Sequence, residues 1–159
     1  MSKWIAILMA FLCPIQAAIA DDAAKLFGTW KLISFDMEFQ DSGNREPIYG
    51  KNPTGYIIFL PEGRMMTVLE KEGRAAPKTD QDRAVLLSTM VAYTGMYRID
   101  GDKWTTKIDA SWNPLWNGTE QIRFFKIQGD RLHVIAAYGP SANFSGRIAR
   151  GILSFERVK

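Results

Sequence analysis

Residues 54–70 read Thr54-Gly55-Tyr56-Ile57-Ile58-Phe59-Leu60, Pro61-Glu62-Gly63-Arg64, then Met65-Met66-Thr67-Val68-Leu69-Glu70. Two runs rich in aromatic and β-branched residues flank a short turn of Pro, Glu and Gly. That is the pattern of an antiparallel hairpin. It extends outward in both directions. Upstream, Trp30 to Phe39 alternates, and the spacing predicts Ile33, Phe35, Met37 and Phe39 on one face. The polar stretch Gln40 to Pro53 reads as a loop. Downstream, Met96–Ile99 and Trp104–Ser111 flank the turn Asp100-Gly101-Asp102. In the second run Trp104, Thr106, Ile108 and Ala110 alternate with Thr105, Lys107 and Asp109. Thr119–Gln128 and Arg131–Ala137 flank Gly129-Asp130, a tight hairpin turn. After a Gly- and Pro-containing loop at Tyr138–Gly146, Arg147–Val158 forms the last strand.

The period changes once. Residues 71–78 are charged and contain Pro77. Beyond them Ala84, Leu87 and Val91, widened by Leu86 and Met90, form one helical stripe. The spacing predicts a helix over 80–92, with Thr79 as N-cap, Asp80 and Asp82 in the first turn, and Gly95 ending the segment. Such a helix would be a lid over an open end or a plug on the wall, with 93–95 as its hinge. The predicted fold is all-β: an eight-stranded antiparallel up-and-down barrel with one short helix between strands 3 and 4. A barrel of that size is wide enough to hold one small ligand.

Composition supports one domain of 159 residues and 18.0 kDa. An apolar share of 47% against 23% charged residues is that of a globular core. The formal charge is +3 without a basic block, so no nucleic-acid partner is expected. One Cys and one His are too few for a Cys/His zinc site, a disulfide framework or a two-Cys redox centre. Neither a calcium loop nor a phosphate-binding glycine pattern occurs, so no metal and no cofactor is expected.

Residues 1–20 carry Lys3, the apolar run Trp4 to Leu12, and Ala18-Ile19-Ala20 before Asp21-Asp22. This reads as a secretory signal peptide, with Cys13 inside the discarded part. The expected mature domain is 21–159, periplasmic or secreted, without a stable membrane span once the signal is cleaved.

Gly28-Thr29-Trp30 before the first strand resembles the lipocalin signature. The ordered set Tyr49-Gly50-Lys51-Asn52-Pro53-Thr54-Gly55-Tyr56, Tyr93-Thr94-Gly95-Met96-Tyr97, Asn113-Pro114 with Gly118–Arg123, and Gly129–Leu132 is similar to the bacterial lipocalin-like domain family. The resemblance implies a small-molecule-binding barrel. It also implies that Trp30 plugs one end, with a basic residue of the last strand packed over it, Arg157 first and Arg150 second. Members of that family often have His on the fifth strand, where this chain has Thr106 and Lys107.

Arg123 shares a face with Gln121, Phe125 and Ile127. If that face is inward, the guanidinium needs a partner: a ligand carboxylate or phosphate, or an internal carboxylate such as Asp109 or Glu120. Large aromatics with one polar atom suit ligand pockets. Arg123, Tyr97, Trp112, Trp116, Gln121 and Tyr56 are therefore the candidate ligand-binding residues, with the Trp pair at the cavity mouth. Lys107 and Asp109 read as a solvated outer face and His133 as a surface histidine; no catalytic set is assigned. The expected function is binding of a small hydrophobic or amphipathic molecule in the lumen, anionic if Arg123 contacts it. The alternatives are an isomerase or cyclase using Tyr97 with Lys107, and a protein-binding barrel with an apolar patch near Trp116.

Overall fold

The computed structural model describes residues 24–141, 144 and 146–159. The signal-peptide reading of 1–20 and Cys13 lie outside the described residues. In chain order the strands are β1 (Gly28–Phe39), β2 (Arg45–Glu46), β3 (Thr54–Phe59), β4 (Arg64–Glu70), β5 (Met90–Asp100), β6 (Lys103–Ser111), β7 (Glu120–Gln128), β8 (Arg131–Ala136), β9 (Gly139–Pro140) and β10 (Ile148–Arg157). A short helix, Asp80–Ser88, lies between β4 and β5. The eight long strands run as an antiparallel meander, and β10 returns to pair with β1. The barrel is thus closed, and its long strands leave no unpaired edge. The two-residue strands β2 and β9 only extend β1 and β10 at one end.

Inward residues alternate as a half-buried strand requires. Trp30, Leu32, Ile57, Phe59, Met65, Trp104, Leu132 and Phe155 form the centre of the core. Two bulges break the alternation. Between Leu32 and Ser34 the register with β10 slips by one residue, so Ile33 is the extra one. Ile33 is 37% exposed, while Trp30 and Leu32 point in before it and Phe35 after it. The expected face of Ile33 with Phe35, Met37 and Phe39 therefore loses Ile33. A second slip, between Thr94 and Gly95 against β6, makes Asp109 the extra residue. It turns Ala110 outward, away from the Trp104, Thr106 and Ile108 face.

The helix is shorter than its sequence pattern. It ends at Ser88, and Met90 and Val91 already pair with Glu70 and Leu69 of β4. Tertiary pairing overrides the helical stripe, because β4 needs a ladder partner and Tyr93, 8% exposed, belongs in the core. Thr79 caps the helix as expected, with its hydroxyl accepting from Asp82 N and Asp82 accepting from the Thr79 backbone N–H. None of the helix residues is buried, and Val85 and Leu87 are about half exposed. The helix therefore plugs nothing. Residues 93–95 are strand, not hinge. Gly95 is required for another reason: an added Cβ would lie 2.0 Å from the Lys107 carbonyl oxygen.

The two ends of the barrel differ. The tight turns after β3, β5 and β7 gather at the end that Trp30 fills. Trp30 Nε1 donates to the Leu26 carbonyl at 2.9 Å, and the Arg157 guanidinium lies 4.0 Å from the Trp30 ring centre. Arg157 also donates to the Phe27 and Lys25 carbonyls. Arg150 does something else: it stacks on Tyr138 and pairs with Glu38. The longer connections, 40–53, 71–89, 112–119 and the described residues of 137–147, gather at the opposite end.

At that end Glu38 is buried and accepts from three partners. These are the Tyr138 hydroxyl at 2.6 Å, Arg45 Nε at 2.7 Å and Arg150 Nε at 2.7 Å. Together they tie β1, β2, β10 and Tyr138, just beyond β8. The Tyr138 hydrogen bond first, then Arg45 and Arg150, pull the Glu38 carboxyl down to about 2.

Candidate ligand-binding site

The space between the inward faces is a cavity of about 150 Å³. Its wall runs from Trp104 and Phe155 in the core to Met37, Trp116 and Ala136 near the loop-bearing end. The wall is mostly apolar, and among the described residues Arg123 is the only charged one lining it.

The alternation of β7 places Arg123 there. Gln121, Arg123, Phe125 and Ile127 are the half-buried residues of the strand, and their neighbours are exposed. The β6–β7 register sets Arg123 directly opposite Trp104. The carboxylates that could have neutralised Arg123 are taken elsewhere. Asp109 pairs with Arg64 at 2.8 Å, and Glu120 pairs with Arg98 at 2.9 Å. Both pairs lie on the outer face. Among the described residues no carboxylate pairs with Arg123. Its two terminal nitrogens share one neutral acceptor, Gln121 Oε1, at 3.3 Å each, and Nη1 also donates to the Ile122 carbonyl at 2.8 Å.

Trp104 is 1% exposed, and its indole N–H has no acceptor among the described residues. A buried unpaired donor is costly, and native proteins carry few of them. The sequence pattern places Trp104 on the inner face without marking it as a binding residue. Its only signal is its position on a strand that follows a tight turn, which any core Trp could share. Tyr93 is likewise legible only as one aromatic among several; it lines the cavity, with its ring 5.7 Å from that of Trp116.

The other candidates divide. Trp116 lines the cavity, and Trp112 stacks edge-on against it with ring centres 4.6 Å apart, one layer further out. Gln121 reaches Arg123 as described. Tyr97 faces inward but toward the plugged end. There its ring packs on Phe59 and its hydroxyl donates to the Leu60 carbonyl at 3.2 Å. Burial, with Glu62 nearby, raises its pKa. Tyr56 faces out, 44% exposed, on an apolar patch with Ile58, Met66 and Val68, because Gly55 and Ile57 take the inward positions of β3. The structure therefore brings Arg123, Gln121 and Trp116 together, and leaves Tyr97 and Tyr56 apart from them.

Lys107 is exposed and donates to the Gly118 carbonyl at 2.6 Å, on the face opposite Tyr97. An acid–base pair of these two is not assembled. His133 is exposed on β8, 3.3 Å from the Ser154 hydroxyl. No group of three metal-ligating side chains occurs among the described residues. No helix among them is long and apolar enough to cross a membrane.

A closed eight-stranded meander, plugged at one end by Trp under Arg and holding an apolar cavity toward the other, defines a lipocalin-type barrel. The model of the lipocalin-like domain family matches residues 27–158, and the chain belongs to that family. No curated protein matches the chain. A crystal structure of an uncharacterized protein from Bacteroides eggerthii is similar to it at 12% identity and a TM-score of 0.43, covering 84% of this chain and 99% of that one.

Proposed function

We propose that the protein is a binding barrel that holds a small, mostly apolar molecule in its lumen, with Arg123 fixing the polar end of that molecule. The observation that carries this reading is a lumenal cavity whose one charged lining residue has no carboxylate partner among the described residues. An unpaired cation in an apolar wall is retained at a cost to stability, and a ligand that supplies its partner offsets that cost. Membership of the lipocalin-like family supports a binding barrel. The signal-like residues 1–20 support a secreted or periplasmic carrier. The displacement of Tyr97 from Lys107 favours binding over acid–base catalysis.

The test is native mass spectrometry of the protein purified from its own source, before and after denaturing extraction. The expected result is a reproducible added mass that leaves on unfolding. The same experiment is run on Ala136→Phe, which fills the lumen. An added mass that persists in that variant would place the ligand elsewhere and overturn the reading.

A further inference from the structure

We infer that the lumen selects a monocyclic carboxylate: one ring-sized apolar body carrying one carboxylate, held by Arg123 and Trp104. This rests on the lumen being the binding site.

Size comes first. A cavity of about 150 Å³ is below the range of sites for drug-sized ligands and matches a cavity that takes one benzene ring. A long acyl chain or a fused ring system does not fit without repacking the wall. The wall offers ring faces and edges at Tyr93, Trp104 and Trp116, which suit a flat ring.

Charge and donor geometry come second. The Arg123 fork carries two parallel donors, the arrangement a carboxylate accepts bidentately. Within the protein both terminal nitrogens share Gln121 Oε1 at 3.3 Å, long for a charge-assisted bond, and Nη1 also donates to the Ile122 carbonyl at 2.8 Å. Gln121 thus holds the place of a better acceptor. The indole N–H of Trp104, opposite Arg123 in register and without a partner among the described residues, is a third donor in the same wall. A cation held only by neutral acceptors, beside an indole N–H that has none among the described residues, fits an anion; a neutral hydrophobe would leave the cation without a counter-charge and the indole N–H unpaired.

The test uses benzoate and its neutral counterpart benzyl alcohol, titrated calorimetrically into the full-length protein, Arg123→Gln, Gln121→Glu and Trp104→Phe. Thermal melts confirm that each variant is folded. In the parent, benzoate is expected to bind about tenfold or more tighter than benzyl alcohol, the worth of a charge-assisted bond. Arg123→Gln abolishes that preference. Gln121→Glu supplies an internal carboxylate to the fork and lowers the benzoate to benzyl alcohol ratio about tenfold or more. Trp104→Phe keeps a ring and lowers the ratio severalfold. Gln121→Glu lies on a half-buried position and keeps the inference testable if Trp104→Phe does not fold. Equal binding of the two probes to the parent, or a preference that survives Arg123→Gln, overturns the carboxylate class and leaves lumenal binding standing. Binding of both probes that survives Ala136→Phe overturns the lumen as the site, and the inference with it. Absence of binding by either probe overturns the ring-sized class, while a native added mass would still uphold the wider reading.

Discussion

Arg123 on β7 and Trp104 on β6 stand directly opposite one another in the barrel wall, and the described residues give Arg123 only neutral acceptors and the Trp104 indole N–H none. Opposed residues of one sheet face have Cβ atoms about 5 Å apart, so Arg123 and Trp104 are neighbours in the cavity wall. Within the protein alone that arrangement is a local cost. Arg123→Leu is therefore expected to stabilise the ligand-free barrel by up to about 1 kcal/mol, since an apolar residue replaces an unpaired cation in an apolar wall. Chemical denaturation of ligand-free protein checks this. A loss of more than about 1 kcal/mol would mean that Arg123 is a structural member of the wall.

Acid should loosen the loop-bearing end through Glu38. Its carboxyl titrates at about 2 in the folded protein, below its ordinary 4.5. A depressed folded pKa stabilises the native state above the ordinary value, and that contribution disappears as pH falls from 4.5 toward 2. Melting temperature measured across that window should fall less steeply in Glu38→Gln than in the parent. Identical slopes would remove Glu38 as a source of acid sensitivity.

Gly95→Ala should be among the most damaging single substitutions. The new Cβ would meet backbone rather than a movable side chain, 2.0 Å from the Lys107 carbonyl oxygen at the bulge. The strands must separate there, and a loss of about 3 kcal/mol or more is expected. A denaturant melt that shows a loss below about 1 kcal/mol would contradict the close approach of β5 and β6.

Leu87→Ala and Leu132→Ala separate the helix from the core. Leu87 is 54% exposed and Leu132 is fully buried. The first should change stability by less than about 0.5 kcal/mol, and the second should cost about 2–5 kcal/mol. Comparable losses in denaturant melts would place the helix stripe in the core after all.

Arg157→Ala should unseat the plug. It removes the cation over Trp30 and two hydrogen bonds to the Lys25 and Phe27 carbonyls, for a loss of about 1–3 kcal/mol. Trp30 fluorescence should become more solvent-exposed in the same variant, provided the other tryptophans are replaced by Phe. An unchanged emission maximum would show that the plug holds without its cation.

The strands, their turns and the meander are legible in the sequence because each depends on neighbours a few residues away. A period-two run needs no partner to be read: Arg131 to Val134 alternates exposed and buried side chains as its residue types demand. Gly129-Asp130 joins β7 to β8 whatever surrounds it. Eight such strands in a meander favour a barrel, and the pairing of β10 with β1 closes it. What the tertiary structure decided is where the alternation slips and what stands across from what. Nothing local marks Ile33 or Asp109 as the extra residue, because a bulge is set by fitting one strand to the next, and a slip of one residue exchanges the inner and outer faces. Met90 and Val91 fit a helix until β4 claims them as strand partners. Tyr56 and Ile57 differ little in local pattern, yet only the way β3 sits in the barrel settles which of them meets water. Arg123 and Trp104 are far apart along the chain, and only the register between β6 and β7 makes them a pair. Chain-local chemistry determines the elements; packing between elements determines the faces, and the candidate site is made of faces.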